Sequence, residues 1–472
     1  MSSLMAPLSL LVLAALFTFF GICLGIVTGL IPGIHVNTIS ILIVSSIGII
    51  TLFVSGLISN LNPTSSELLL LISMLVIGCL ITHTFLNFIP ATYFGAPEGE
   101  TALSVLPAHR MLLEGRGFEA IKASAVGSFA ATFIALLLIL PARFVMGNPI
   151  NLYEKIVPLI PLILFLVIFV LILQEGRSLL DYRPKLVAGG LFLLSGLLGF
   201  IVLTPTGIYT YNWTLVEQQD TTTTSVMLFP MFTGLFGISN LLVSLMDNPE
   251  IPEQRTEDVK IRLKNKSKFR GILSGTMSGG LVGWLPGITA AAATTFTQFF
   301  TPKEQSEEES SREFIMSVSA VDTACAIFTL VALFIILKAR SGAMQAILKL
   351  NEDNIKEWSA LFQAPDLFLL LLFAVVISAS TAYLLTLSLG KSFAGIHKKL
   401  EYEKISKGII LFLIILMFVL SGPIGLLIGT ISTAVGLIPP LYGVKRVHLM
   451  GCIIFPVILF FTGLNLYLIQ LL

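Results

Sequence analysis

Long apolar runs recur along the whole chain, near 9–31, 38–58, 67–90, 123–142, 156–173, 186–203, 226–246, 314–337, 366–389, 408–438 and 450–470. Most approach or exceed the roughly 20 residues that a helix needs to cross the hydrocarbon core of a bilayer. Strict apolar–polar alternation is absent, so the backbone must be satisfied within helices and not around a barrel. The pattern predicts an all-α integral membrane protein. A further stretch, 271–300, is apolar but rich in Gly, Ala and Thr, with Pro286-Gly287 at its centre.

Positive charge orients these runs, because Lys and Arg concentrate in cytoplasmic loops. Segments 109–122 and 174–185 are basic, 247–270 holds seven basic residues and 391–407 holds five. All four are expected inside. Segments 143–155 and 338–364 carry fewer positives for their length and 204–224 carries none, which suits the outer face. Crossings at 314–337 and 366–389 then put 302–313 inside, on the same side as 247–270. The stretch 271–300 must therefore cross an even number of times, and thirty residues are too few for two full passes at about 1.5 Å per residue. A re-entrant hairpin with Pro286-Gly287 at its tip resolves the parity.

That hairpin has a counterpart. Residues 21–34 read GICLGIVTGLIPGI and residues 275–288 read GTMSGGLVGWLPGI, so Gly21, Gly25, Gly29, Pro32, Gly33 and Ile34 recur as Gly275, Gly279, Gly283, Pro286, Gly287 and Ile288. Small residues at every fourth position flatten one helix face for close backbone contact. About five crossings separate the two hairpins, an odd number, so the second copy is expected inverted: a membrane repeat over 1–246, a cytoplasmic linker over 247–270 and a second repeat over 271–472. Inverted repeats with broken helices mark secondary transporters, with the substrate near the midplane. A weaker echo pairs Glu100-Thr101-Ala102 with Asp322-Thr323-Ala324.

Composition agrees with the pattern. Only 12% of the residues are charged, against about 25% in soluble domains, and the mean hydropathy is +0.94. A net charge of +1 without a basic tract gives no reason to expect a nucleic-acid partner. Cys23, Cys79, Cys325 and Cys452 lie in apolar stretches without CxxC spacing and read as packing residues. The first Lys or Arg is Arg110, so the first apolar run lacks the basic flank of a secretory signal and is read as part of the mature, multi-pass protein of the cytoplasmic membrane.

A helix resuming after Pro-Gly exposes unpaired N–H groups at the positive end of its dipole, which suits an anion. The substrate-binding candidates are Gly29, Pro32, Gly33, Ile34, His35 and Asn37 in the first copy, with Thr38 beside them, and Gly283, Pro286, Gly287, Ile288 and Thr289 in the second. The plainer reading is that these polar groups cap their own helices. Carboxylates in apolar surroundings are costly and tend to serve function. Glu98 and Glu100, in the segment 83–101 that also holds His83 and Asn87, and Asp322 with Thr323, are candidates for coupling to Na⁺ or H⁺. Their plain readings are a solvated loop for the glutamates and an interfacial position for Asp322. The acidic run 304–313 reads as a solvated loop. No nucleotide-binding or hydrolase motif implies a cofactor or an enzyme.

With both Pro-Gly copies in view, the chain resembles the TctA-like family, the large membrane subunit of tripartite tricarboxylate transporters. The resemblance rests on GxxxGxxPGI at 25–34 and 279–288, on PATYFGAPEGETALSVLPAHRMLLEGRG at 90–117 and on RVHLMGCIIFP at 446–456. It implies a carboxylate substrate, import driven by an ion gradient, an extracytoplasmic binding protein and a small membrane subunit. The sequence looks like a divergent branch, and similar Pro-Gly repeats occur in a family linked to polyprenyl-phosphate lipid carriers. Three readings follow: a secondary transporter of an organic anion, a flippase for an anionic lipid carrier, and an intramembrane enzyme using Glu98, Glu100 or Asp322.

Overall fold

Helix starts are written into the sequence by capping residues. Thr64 and Glu67 form a capping box, with the Thr64 N–H donating to Glu67 Oε2 at 2.7 Å and the Glu67 N–H to Thr64 Oγ1 at 3.3 Å, and the helix Ser65–Leu86 begins there. Ser306 caps the helix Glu307–Ile335, whose first turn holds Glu307, Glu308 and Glu309 at the positive end of the dipole. The acidic run is thus no solvated loop beyond Ser306: it is the first two turns of a helix, with Arg312 and Glu313 buried. The computed structural model describes residues 8–31, 34–57, 63–94, 101, 104–173, 175–176, 181–203, 227, 229–247, 252–257, 259–285, 290–297, 306–360, 362–396 and 402–469. Among them all regular structure is helical, and eight helices are long and apolar enough to cross a membrane.

Burial separates core helices from lipid-facing ones. In Ser65–Tyr93 and Glu307–Ile335, 89% of the most apolar window is buried, against 22% in Leu152–Leu173. The latter exposes Leu162, Phe165 and Leu166, as expected of a surface solvated by acyl chains. The two central helices therefore form the core, and both carry buried polar residues.

Glycines set how the helices pair. Helix Leu8–Leu30 lies along Ser65–Leu86 at Gly21, Gly25 and Gly29, which face Leu75, Thr82 and Leu86 in that order. Helix Asn265–Val282 lies along Glu307–Ile335 at Gly271, Gly275 and Gly279, facing Glu313, Ser317 and Val321. Partner numbers rise together in both pairs, so each pair is parallel. Between the pairs the order reverses: Thr84 meets Thr323 and Asn87 meets Asp322, so the central helices are antiparallel. Further along, Gly199 abuts Cys452 and Gly451 abuts Phe192, while Gly234 abuts Gly429 and Gly436 abuts Leu235. Each half thus supplies one helix to each of two matching cross-pairs.

Because Asn265–Val282 and Glu307–Ile335 start side by side, the intervening chain returns to the end it left, which meets the parity argument. Arg270 clamps that end, with Nη2 donating to Glu313 Oε2 at 2.6 Å. In the first copy, 36–57 is divided at Ser46 into helices Val36–Ser45 and Ile47–Leu57. The single apolar run 408–438 is corrected as well. It is a helical hairpin broken at Gly422, whose φ of 64° and ψ of −163° are accessible essentially to glycine alone. The break folds Gly429 back onto Met417.

One prediction tests the glycine seams. A Cβ on Gly279 would collide with the Val321 carbonyl oxygen and lie 3.0 Å from the Val321 Cα, whereas one on Gly48 meets nothing within 4 Å. Gly279→Val should cost about 3 kcal/mol, the upper end for overpacking, because a helix backbone cannot rotate away as a side chain can. Gly48→Val should be close to neutral in the same detergent melt. Equal melting temperatures for the two variants would disprove the seam.

Candidate functional site

The antiparallel crossing of the two central helices places polar groups at the heart of the molecule. The plain reading of Asp322 puts it at an interface, but the helix begins at Glu307. Fifteen residues at 1.5 Å each put Asp322 about 22 Å along it. Its side chain is 6% exposed, and Asn87 Nδ2 donates to Asp322 Oδ2 at 3.0 Å. That bond orients the amide, since only the nitrogen can donate. Asn87 Oδ1, carried by a residue 2% exposed, is then buried with no hydrogen-bond partner among the described residues. One turn away, the hydroxyls of Thr84 and Thr323 approach to 3.4 Å. A carboxylate, an amide oxygen and two hydroxyls converge here as hard oxygen donors.

Helix geometry explains the arrangement. Thr84 and Asn87, three residues apart, lie on one face where Ser65–Leu86 ends and Phe88–Tyr93 begins. The polar string continues toward the first hairpin. His83 Nδ1 lies 3.1 Å from Thr28 Oγ1, Thr28 Oγ1 lies 3.8 Å from Cys79 Sγ, and the His83 ring is 5.0 Å from that of His35.

The predicted hairpin residues divide into three groups. Pro32, Gly33, Glu98, Glu100, Pro286, Gly287, Ile288 and Thr289, and the Thr38 side chain, lie outside the described residues. Gly29 and Gly283 face neighbouring helices and not an open space: a Cβ would sit 2.7 Å from Leu86 Cβ and 2.6 Å from Phe328 Cβ, respectively. Ile34, His35 and Asn37 are in capping positions. The Ile34 N–H donates to Ile31 O at 3.3 Å, and His35 Nδ1 accepts from the Asn37 N–H at 3.1 Å. Asn37 Oδ1 in turn accepts from the Ala343 N–H at 3.1 Å, tying the hairpin to the start of helix Gly342–Leu350. Asp322 and Thr323 come together with Asn87 and Thr84, while Thr101 is buried in a turn beyond Tyr93 and shares no helix position with Thr323.

Two clusters escaped sequence reasoning. At the basic end, Glu119 accepts from Arg312 Nε at 2.8 Å and from Arg116 Nε at 3.0 Å, with both Glu119 and Arg312 buried. Glu308 joins Arg116 and Arg312, and Arg110 pairs with Glu307. The linker lies against this cluster: Gln254 bridges the Gly117 N–H and the Leu112 carbonyl, and Lys122 Nζ donates to Val259 O at 2.8 Å. Elsewhere Glu175 accepts from the Lys445 N–H and meets His448 Nε2, each at 2.9 Å. Burial works to raise the Glu175 carboxyl, but His448 and Lys445 outweigh it and hold the group below its ordinary value. The only available signal was the occurrence of charged residues at positions the helical period buries, and it does not identify partners nearly two hundred positions apart.

The model of the family described as "Tripartite tricarboxylate transporter TctA family" matches residues 15–451. An uncharacterized protein of Methanocaldococcus jannaschii is 27% identical over 456 residues, covering 94% of this chain and 98% of that one. No solved structure matches the chain.

Proposed function

The chain belongs to the tripartite tricarboxylate transporter TctA family, and on that premise we propose that it moves a di- or tricarboxylate across the cytoplasmic membrane as a secondary active transporter, coupled to H⁺ or Na⁺. The observation that carries the coupling is Asp322, a carboxylate buried midway along a central helix and bonded to Asn87 of the antiparallel one. A charge held there costs free energy that function has to justify. The unpartnered Asn87 Oδ1 and the Thr84 and Thr323 hydroxyls supply the oxygen shell that Na⁺ prefers; protonation of Asp322 is the alternative means of neutralising the charge.

The cross-pairs of helices support a division into inverted repeats over 1–246 and 271–472, joined by the linker 247–270. The two hairpin tips would then present backbone N–H groups to the substrate near the midplane, with Pro32-Gly33 and Pro286-Gly287 as the breaks. As the large component of a tripartite system, the protein would work with a small membrane subunit and an extracytoplasmic binding protein. Asp322 is partnered by an amide and not by a second carboxylate, which does not favour the acid pair of an intramembrane enzyme.

The test is uptake of labelled citrate and succinate into proteoliposomes under an inward Na⁺ or H⁺ gradient imposed separately. One gradient should drive accumulation that collapses when the matching ionophore is added. No accumulation under either gradient would sink the proposal. One observation favours a second reading, translocation of an anionic polyprenyl-phosphate lipid carrier: an apolar groove of about 200 Å³ between helices Gly117–Met146 and Asn265–Val282 shares Met146 and Trp284 with a larger cavity at the outer end that holds charged groups. Flipping of a fluorescent anionic lipid in the same vesicles, without carboxylate uptake, would select it.

A further inference from the structure

The cavity at the outer end, apolar over most of its wall with a few charged groups, has a volume of about 710 Å³, within the range of small-molecule sites. It opens where helix Gly117–Met146 ends and helix Glu307–Ile335 gives way to 336–341. Arg143 ties the first of these ends to the segment at Ser359, donating to Asn148 O at 2.7 Å and Ser359 O at 2.5 Å. The lining is graded from rim to interior. Glu154, Glu357 and Lys338 are exposed at the rim, whereas Arg340 is half-buried and Trp284 is buried within it. Tyr153 meets Trp284 edge to face, with ring centroids 6.3 Å apart, so an aromatic wall stands beside the guanidinium.

The site of this cavity gives it meaning. Trp284 is two residues before Pro286 and thus at the described edge of the second hairpin. The cavity therefore borders the second hairpin at the end of helix Glu307–Ile335. Burial works against the Arg340 charge and draws its guanidinium below the ordinary arginine value, with Cys325 and Tyr153 opposing the shift. The guanidinium lines a roomy cavity open to solvent, and the planar fork of arginine matches a carboxylate bidentately.

We propose that this cavity is an outer binding site for a soluble organic carboxylate, with Arg340 as its charge partner and the Trp284–Tyr153 pair as its apolar wall. The inference rests on the transport reading and adds the place where the anion first docks. Apolar aromatic walls beside a fixed charge select organic anions over hydrated inorganic ones, because the carbon skeleton is desolvated against the rings. The rim carboxylates Glu154 and Glu357 repel anions that approach off the axis of Arg340.

Tryptophan fluorescence tests it, because the chain has three Trp residues and, among the described residues, Trp284 is the one that lines the cavity. Titrating the purified full chain with citrate and with succinate should quench saturably, and Trp284→Phe should remove the response. Arg340→Gln should raise the half-saturating concentration about tenfold, as expected for loss of one charge-assisted contact. Arg340→Lys, which keeps the charge but loses the fork, should fall between and serves if the glutamine variant fails to fold. Quenching that persists in Trp284→Phe, or an unchanged half-saturation in the folded Arg340 variants, overturns the site. A response to phosphatidylglycerol or inorganic phosphate but to neither carboxylate overturns the ligand class. Carboxylate uptake without any Trp284 response overturns the outer site and leaves transport standing. An Arg340-dependent response without uptake under either gradient upholds the site and removes the transport reading beneath it.

Discussion

Asp322→Asn should reduce gradient-driven accumulation to the level of empty vesicles while the protein stays folded. The substitution keeps the shape and one acceptor oxygen, so Asn87 Nδ2, now 3.0 Å from Asp322 Oδ2, retains a partner. What disappears is the charge that a coupling ion must neutralise. Removing a buried charge saves desolvation, so the melting temperature should hold or rise. Asn87→Asp combined with Asp322→Asn returns a carboxylate to the other side of the same bond, and partial recovery of uptake would place the requirement on the charge and not on the helix position. Full uptake by the single Asp322→Asn variant, measured at matched protein content, would end the coupling assignment.

Breaking the buried ion cluster at the cytoplasmic end should carry the largest stability cost. Glu119→Leu strands Arg312, whose side chain is only 5% exposed, and takes an acceptor from Arg116 and from the Arg262 N–H at 3.4 Å. Stranding one member of a buried pair typically costs about 3–5 kcal/mol, whereas replacing both members with apolar residues is often close to neutral. Glu119→Leu alone should therefore be far worse than Glu119→Leu with Arg312→Met, measured as midpoints of detergent-phase unfolding. Additive effects of the two substitutions would show that the pair does not act as a unit. The cluster also joins the starts of helices Gly117–Met146 and Glu307–Ile335, so its loss should make a cysteine at Ser311 more reactive from the cytoplasmic side.

Much of this protein was legible in the chain itself, for reasons particular to membranes. Lipid offers no hydrogen bonds, so the backbone must close within helices, and runs such as 186–203 announce their spans without reference to any neighbour. The charge bias of 247–270 and 391–407 and simple parity were enough to require a returning segment after Val282. The glycines at 21, 25, 29 and 275, 279, 283 identified flat helix faces, because spacing alone determines a face. Which helix each face meets was a tertiary matter: Gly21 contacts Leu75 and Gly279 contacts Val321, and no periodicity names those partners. The acidic run at 307–313 was misjudged because its charges are compensated by Arg116 and Arg270, remote in sequence. The depth of Asp322 was misjudged because Ser306 starts the helix earlier than the apolar run does. Asn87 meeting Asp322 across 235 positions, Glu119 meeting Arg312 across 193, and Arg340 reaching the cavity beside Trp284 were all decided by packing. Local sequence determines which segments leave water and which face is small, but a charge or amide acquires its role only from what the folded chain brings within about 3 Å of it.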